Sequence, residues 1–146
     1  MASIVYNSML DDLVKGNINF GSDAFYVLLV NNTYDPTTGK DTHLKRSDVT
    51  GKEVTGTGYT AGGKVTTVTC TKDTTNDRED LSFSTVTWTT ATITARGCVI
   101  YKLAGGSLPG TAANDPLVAF VDFGQDVSST NANFAVSFSS PLRFQN

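Results

Sequence analysis

Cysteine, histidine, tryptophan and long apolar runs are scarce in this chain of 146 residues, and each shortage removes a class of function. The two cysteines, Cys70 and Cys98, stand apart inside strand-like runs and form no CxxC pair. A zinc knuckle or redox dithiol is therefore excluded, and both are expected as buried, unpaired small residues. His43 is the single histidine, so neither a multi-histidine zinc site nor an HExxH helix can be assembled. Any Ser-His-Asp triad would depend on that one residue, with no GxSxG to supply its nucleophile.

No apolar run approaches the roughly 20 residues that cross a bilayer. The opening Met1-Ala2-Ser3-Ile4-Val5-Tyr6-Asn7 has neither the basic start nor the apolar centre of a signal peptide. Synthesis in the cytoplasm and no membrane partner are expected. A net charge of -3, from 14 acidic and 11 basic residues dispersed along the chain, makes no electrostatic footprint for a phosphate backbone, so nucleic acid is not an expected partner.

What is abundant is threonine, 22 residues of which 16 crowd between Thr50 and Thr94. β-Branched side chains fit a pleated surface better than a helix. The length fits one domain, residues 1–146, whose core needs no staples. Val5, Met9 and Leu13, with Tyr6, Leu10 and Val14 beside them, recur at helical spacing between a Ser3 cap and a Gly16 stop, predicting one short N-terminal helix. The run 24–30 reads as a strand buried on both faces. Further strands are predicted over 65–71, 80–88, 91–101, 117–123 and 134–138. The expected fold is mainly β, an antiparallel β-sandwich or jelly-roll-like body with one short N-terminal helix. Between them, residues 31–63 form a long polar stretch with Leu44 and Val49 as its apolar anchors. A connection of that length is usually functional or interfacial, so subunit contacts are expected there.

Several motifs carry chemistry in outline. Gly58-Tyr59-Thr60-Ala61-Gly62-Gly63-Lys64-Val65 has phosphate-loop spacing through its lysine, yet it ends in valine where a magnesium-ligating hydroxyl is needed, and a strand sequence follows it instead of a helix. A Gly-rich turn with positive φ is the simpler reading. Carboxylates pair at Asp11-Asp12, at Asp77 with Glu79-Asp80, and at Asp122 with Asp126. A sugar hydrolase would set two of them across an aromatic-lined cleft, and nothing joins these to one. Asp11-Asp12 are expected to solvate the helix. Residues 73–80 read as a hairpin turn, without the spacing of a calcium loop. Trp88 and the phenylalanines at 83, 120, 123, 134, 138 and 144 recur at strand spacing and are expected in the core. No catalytic, cofactor or metal residue is assigned, and the chain is not expected to be an enzyme.

Blocks in a defined order then suggest a family. They are Ile4-Val5-Tyr6-Asn7-Ser8, Phe25-Tyr26-Val27-Leu28-Leu29-Val30, Arg46-Ser47-Asp48-Val49 and the stretch from Glu53 to Gly63. Val86-Thr87-Trp88, Thr92-Ile93-Thr94-Ala95-Arg96-Gly97, Leu117 to Gly124 and Ser128-Ser129-Thr130-Asn131 follow. Together they cover nearly the whole chain, which resembles a family of small virion structural proteins of tailed bacteriophages. The resemblance implies a capsid decoration or cement role on the head surface, with the major capsid protein as partner and a virion location. A homotrimer or homodimer would match local capsid symmetry. The alternative is a tail, connector or fibre-associated protein for host attachment. The terminal Pro141 to Asn146 either docks on a neighbour or closes the domain's own core as an edge strand.

Overall fold

The computed structural model describes residues 1–146, with 47% in strands and 16% helical, arranged as two antiparallel sheets with short helices against them. The larger sheet has the order β1 (Ile4–Val5), β7 (Leu117–Val136), β6 (Val86–Lys102), β2 (Phe25–Val30) and β3 (Lys64–Thr66). The smaller has the order β4 (Val68–Asp73), β5 (Arg78–Phe83) and β8 (Leu142–Gln145). The mainly β, sandwich-like expectation holds.

The uninterrupted apolar run of β2 is explained by burial on both sides. Phe25, Val27 and Leu29 enter a cluster with Leu81 of β5 and Val86, Trp88 and Phe134 of the larger sheet, which fills the space between the sheets. Leu28 and Val30 point the other way, into a cluster with Tyr6, Tyr34, Val49, Tyr101 and Phe120. The large sheet is thus a middle layer, and residues 31–63 supply the third.

That third layer corrects the expectation of a long structure-poor connection. It contains a second helix, α2 (Pro36–Thr42), and single 3₁₀ turns at Arg46–Asp48 and Thr50–Lys52. The Asp35-Pro36 pair, whose residue types also suit a turn, is here a helix start. The Asp35 carboxylate accepts from the Thr37 N–H at 3.0 Å, and proline stands in the first helical turn, where no intrahelical N–H is needed. Of the two expected anchors, Val49 is fully buried while Leu44 is half exposed. Tyr34 and Arg46 are the anchors that composition hid.

The N-terminal helix, α1 (Asn7–Val14), is shorter than its apolar spacing predicts. Val5 pairs with Ala119 as part of β1, and the Ser3 hydroxyl accepts from the Asp122 N–H instead of capping the helix. Leu10 and Val14 face solvent. Asp12, expected on the solvated face, is buried, where its carboxylate accepts from Asn17 Nδ2 at 2.9 Å and lies 3.5 Å from the Lys45 ammonium.

Strand boundaries moved wherever the chain changes sheet. The expected strand 65–71 breaks at Thr67, leaving β3 in one sheet and β4 in the other. The expected strand 80–88 breaks at Ser84-Thr85 for the same reason. The two crossings lie side by side, tied by Thr66 Oγ1 donating to Ser84 O and Thr67 N–H donating to Ser84 Oγ. Conversely, the expected strand 117–123 and residues 134–136 of the expected strand 134–138 belong to one 20-residue strand, β7, which runs antiparallel along β6.

Nor does a single side-chain alternation run the length of β6. Trp88, then Ala91, Ile93 and Ala95, then Cys98 and Ile100 all enter the cluster between the sheets. The face therefore changes from even to odd numbering and back. Register slips between Trp88 and Ala91 and between Ala95 and Gly97 coincide with these changes. A bulge inserts one residue and re-aims every side chain after it. Gly97 is required at the second slip, because a Cβ there would lie 2.4 Å from Phe120 Cε2 and 2.6 Å from Val121 O.

Candidate functional site

The Gly-rich segment has the positive φ its sequence suggested, at Gly58, Gly62 and Gly63. Its anion site is filled from within. The Glu53 carboxylate accepts from the Gly62 N–H and from the Tyr59 hydroxyl, both at 2.6 Å, and Tyr59 Oη in turn accepts from the Leu29 N–H at 3.0 Å. Burial, then the neighbouring Glu53 charge, pushes the Tyr59 hydroxyl well above its ordinary pKa, so it remains a donor. Lys64 lies in β3 with its ammonium on Thr87 O at 2.8 Å. The phosphate-loop spacing is thus used to strap the third layer onto β2.

A second strap is ionic. Arg46 and Asp115 are 5% and 0% exposed, and Arg46 Nε donates to Asp115 Oδ2 at 2.8 Å. Arg46 also donates to Pro109 O at 2.6 Å and its guanidinium stands 5.3 Å over the Tyr101 ring. Asp115 uses its other oxygen to accept from the Ala104 N–H. Nε and Nη2 of Arg46 and both oxygens of Asp115 are hydrogen-bonded, the kind of satisfaction that lets a buried ion pair be tolerated. The sequence carried no local sign of it, since the partners lie 69 residues apart.

His43 is brought to Tyr34 and Tyr6. Tyr34 Oη lies 3.2 Å from His43 Nδ1 and 2.6 Å from Tyr6 Oη. Burial raises the Tyr6 pKa strongly, with Tyr34 adding to it. Tyr34 packs against Phe120 at 5.1 Å between ring centres, so the chain of hydroxyls ends in the core.

The carboxylates are separated. Asp122 accepts from Arg96 Nε at 2.8 Å, and Asp126 accepts from Asn32 Nδ2 at 2.8 Å. The hydrogen bond from Arg96 holds the Asp122 carboxyl below its ordinary pKa. Asp73 caps the β4–β5 turn by accepting from Thr75 and Asn76, and Asp80 is gripped by Arg143 through two hydrogen bonds. No three metal-ligating side chains are brought together. Trp88 and Phe134 lie in the core, as their strand spacing suggested, whereas Phe83, Phe123, Phe138 and Phe144 line its partly buried margin. Cys98 is buried with its thiol pushed up to about 12 by burial, whereas Cys70 is exposed, contrary to expectation, because β4 is an edge strand; both thiols are free.

Among the surface concavities, a polar one of about 510 Å³ lies above the distal half of the β6–β7 ribbon. Thr92, Thr94, Ser128 and Thr130 line it from the ribbon, and Asn31 and Thr55 from the third layer. Thr94 and Ser128 hydroxyls bond across the strands at 2.7 Å. The concavity is lined mostly by short hydroxyl and amide groups on paired strands, together with Glu53, Val54 and Ile93, a surface suited to binding by contact. Neither a family model, nor a curated protein, nor a solved structure matches the chain.

Proposed function

We propose that this chain is a structural subunit of a tailed-bacteriophage particle, a capsid decoration or cement protein. It binds the outer head surface as a homo-oligomer and bridges neighbouring copies of the major capsid protein. The observation that supports this reading is where the resembling sequence blocks lie. Arg46 to Val49, Glu53 to Gly63, Thr92 to Gly97 and Asp122 hold the straps and bulges that lock three layers together. The resemblance is one of framework, as expected for a protein that works by being rigid and by touching neighbours.

The hydroxyl-lined concavity supports the same reading energetically. Serine and threonine lose little side-chain entropy when covered, and here they stand on paired strands, so little is lost on docking compared with a surface of lysine and glutamate. In purified particles of the phage that encodes it, the chain is expected in hundreds of copies on the head. Heads stripped of it should rebind purified protein and regain resistance to heat. A copy number of six or a small multiple, located in the tail, would replace this reading with the tail or fibre alternative. Absence from purified particles would end both.

A further inference from the structure

We infer that the free edge of β4 is a self-association surface, which pairs with the same strand of a second copy about a two-fold axis at Cys70. In its geometry the inference concerns only the chain with itself. It adds a dimer interface to the homo-oligomer proposed above, and it does not depend on a virion role.

β4 bonds only to β5, so its other edge has no partner in the chain. Such an edge is normally protected by brevity, bulges, proline or charge. The other edges here are protected, and β6 beyond β2 is broken by the slip between Trp88 and Ala91 and bridged at Thr92 by Thr57. β1 has two residues, β3 three and β8 four. The edge of β7 beyond β1 is broken by positive φ at Gly124 and Asn131. β4 has no bulge or proline, is longer than β1, β3 and β8, and carries a single exposed charge. Its six residues pair with β5 without a register slip, Thr69 to Lys72 are all exposed, and Lys72 is its only charge before the turn residue Asp73.

Hydrogen-bond phase decides which groups are available. Ser84 N–H donates to Thr67 O at 3.0 Å, and these two residues lie opposite each other one step beyond the Val68–Phe83 pair. In an antiparallel ladder the bonded residues alternate, so the odd-numbered residues of β4 bond β5. The N–H and C=O groups of Val68, Cys70 and Lys72 therefore project from the free edge.

Symmetry then selects the register. A two-fold axis normal to a sheet preserves which face each side chain occupies, so one residue must stand opposite itself. Centring on Cys70 sets Val68 against Lys72, Thr69 against Thr71 and Cys70 against Cys70. All three outward residues then find bonded partners in the other copy, and no charge opposes a like charge. Centring on Lys72 or Asp73 sets like charges face to face, which is unfavourable. Centring on Thr69 or Thr71 leaves outward groups of β4 paired beyond the strand's ends. The result is one continuous six-stranded sheet, β8-β5-β4 joined to β4-β5-β8 of the second copy.

The test is the mass of the purified chain in solution, by light scattering and sedimentation across a dilution series. The expected value is twice the 15.5 kDa chain mass. Cys70→Lys, which sets two ammonium groups against each other at the axis, should halve the mass while leaving the circular dichroism spectrum and melting cooperativity of a folded chain. Cys70→Pro is the second variant. It removes only an outward N–H, which an edge strand tolerates, and should also halve the mass. A short bis-maleimide should link wild-type copies through Cys70, since Cys98 is buried, and Cys70→Ser should stay dimeric but lose the link. A monomeric or trimeric wild type, or a dimer that survives both Cys70→Lys and Cys70→Pro, would overturn the inference. None of these outcomes bears on particle binding, which is measured separately.

Discussion

At the scale of single residues, the fold depends on charges and hydroxyls that are invisible as signals in the sequence. Arg46 lies in a polar stretch beside Lys45 and Ser47 and looks like a surface cation, yet it is buried against Asp115. Asp115→Asn leaves that guanidinium without its counter-charge in the interior, and is expected to cost about 3–5 kcal/mol in denaturant unfolding. Less buried pairs behave differently. Arg143 and Arg96 hold the Asp80 and Asp122 carboxyls below their ordinary pKa. A carboxyl depressed in the folded state adds stability that is present above its unfolded value, about 3.9, and is lost as the pH falls through the lower folded value. Stability should therefore decline below about pH 4, and Asp122→Asn should make that acid limb of the melting-temperature profile shallower. An unchanged slope would mean that the Arg96 contact is not maintained in solution.

At the scale of elements, the C-terminal segment answers one of the two alternatives raised by its sequence. β8 pairs residue by residue with β5, from Arg78 opposite Gln145 to Leu81 opposite Leu142, and Leu142 and Phe144 pack against the core between the sheets. Deleting Leu142 to Asn146 should thus destabilise the isolated chain by at least about 2 kcal/mol, from the apolar area of those two side chains alone. A deletion that leaves the melting temperature unchanged and weakens only binding to a partner would favour the docking alternative. Elements were legible where a local pattern is strong, as in the seven apolar residues from Ala24 to Val30. They were misjudged where a strand changes sheet or slips register. Thr67, Ser84 and Thr90 look like any other threonine or serine in a strand, and only their cross-strand partners make them corners or bulges.

At the scale of the whole molecule, the large sheet shares both clusters, so neither can melt alone. β2 sends Val27 and Leu29 into one and Leu28 and Val30 into the other. Trp88 reports on the first cluster by fluorescence, and Tyr6, Tyr34 and Tyr101 report on the second by near-ultraviolet circular dichroism. Both probes are expected to follow one coincident unfolding transition, as a single cooperative domain requires. Separated transitions would show that residues 31–63 fold independently of the sandwich. By itself the sequence determined that the chain is threonine-rich and mainly β, with a doubly buried strand in the run 24–30 and a single histidine. Those properties follow from residue type and short-range periodicity. Only the tertiary structure decided that the polar stretch is a packed third layer, that Glu53 fills the would-be phosphate loop, that Cys70 lies on an open edge and that Asp122 and Asp126 are engaged by different partners. Each of those outcomes depends on which distant backbone or side chain arrives opposite a residue, and a strand's local pattern is the same whether its neighbour is a sheet, a carboxylate or water.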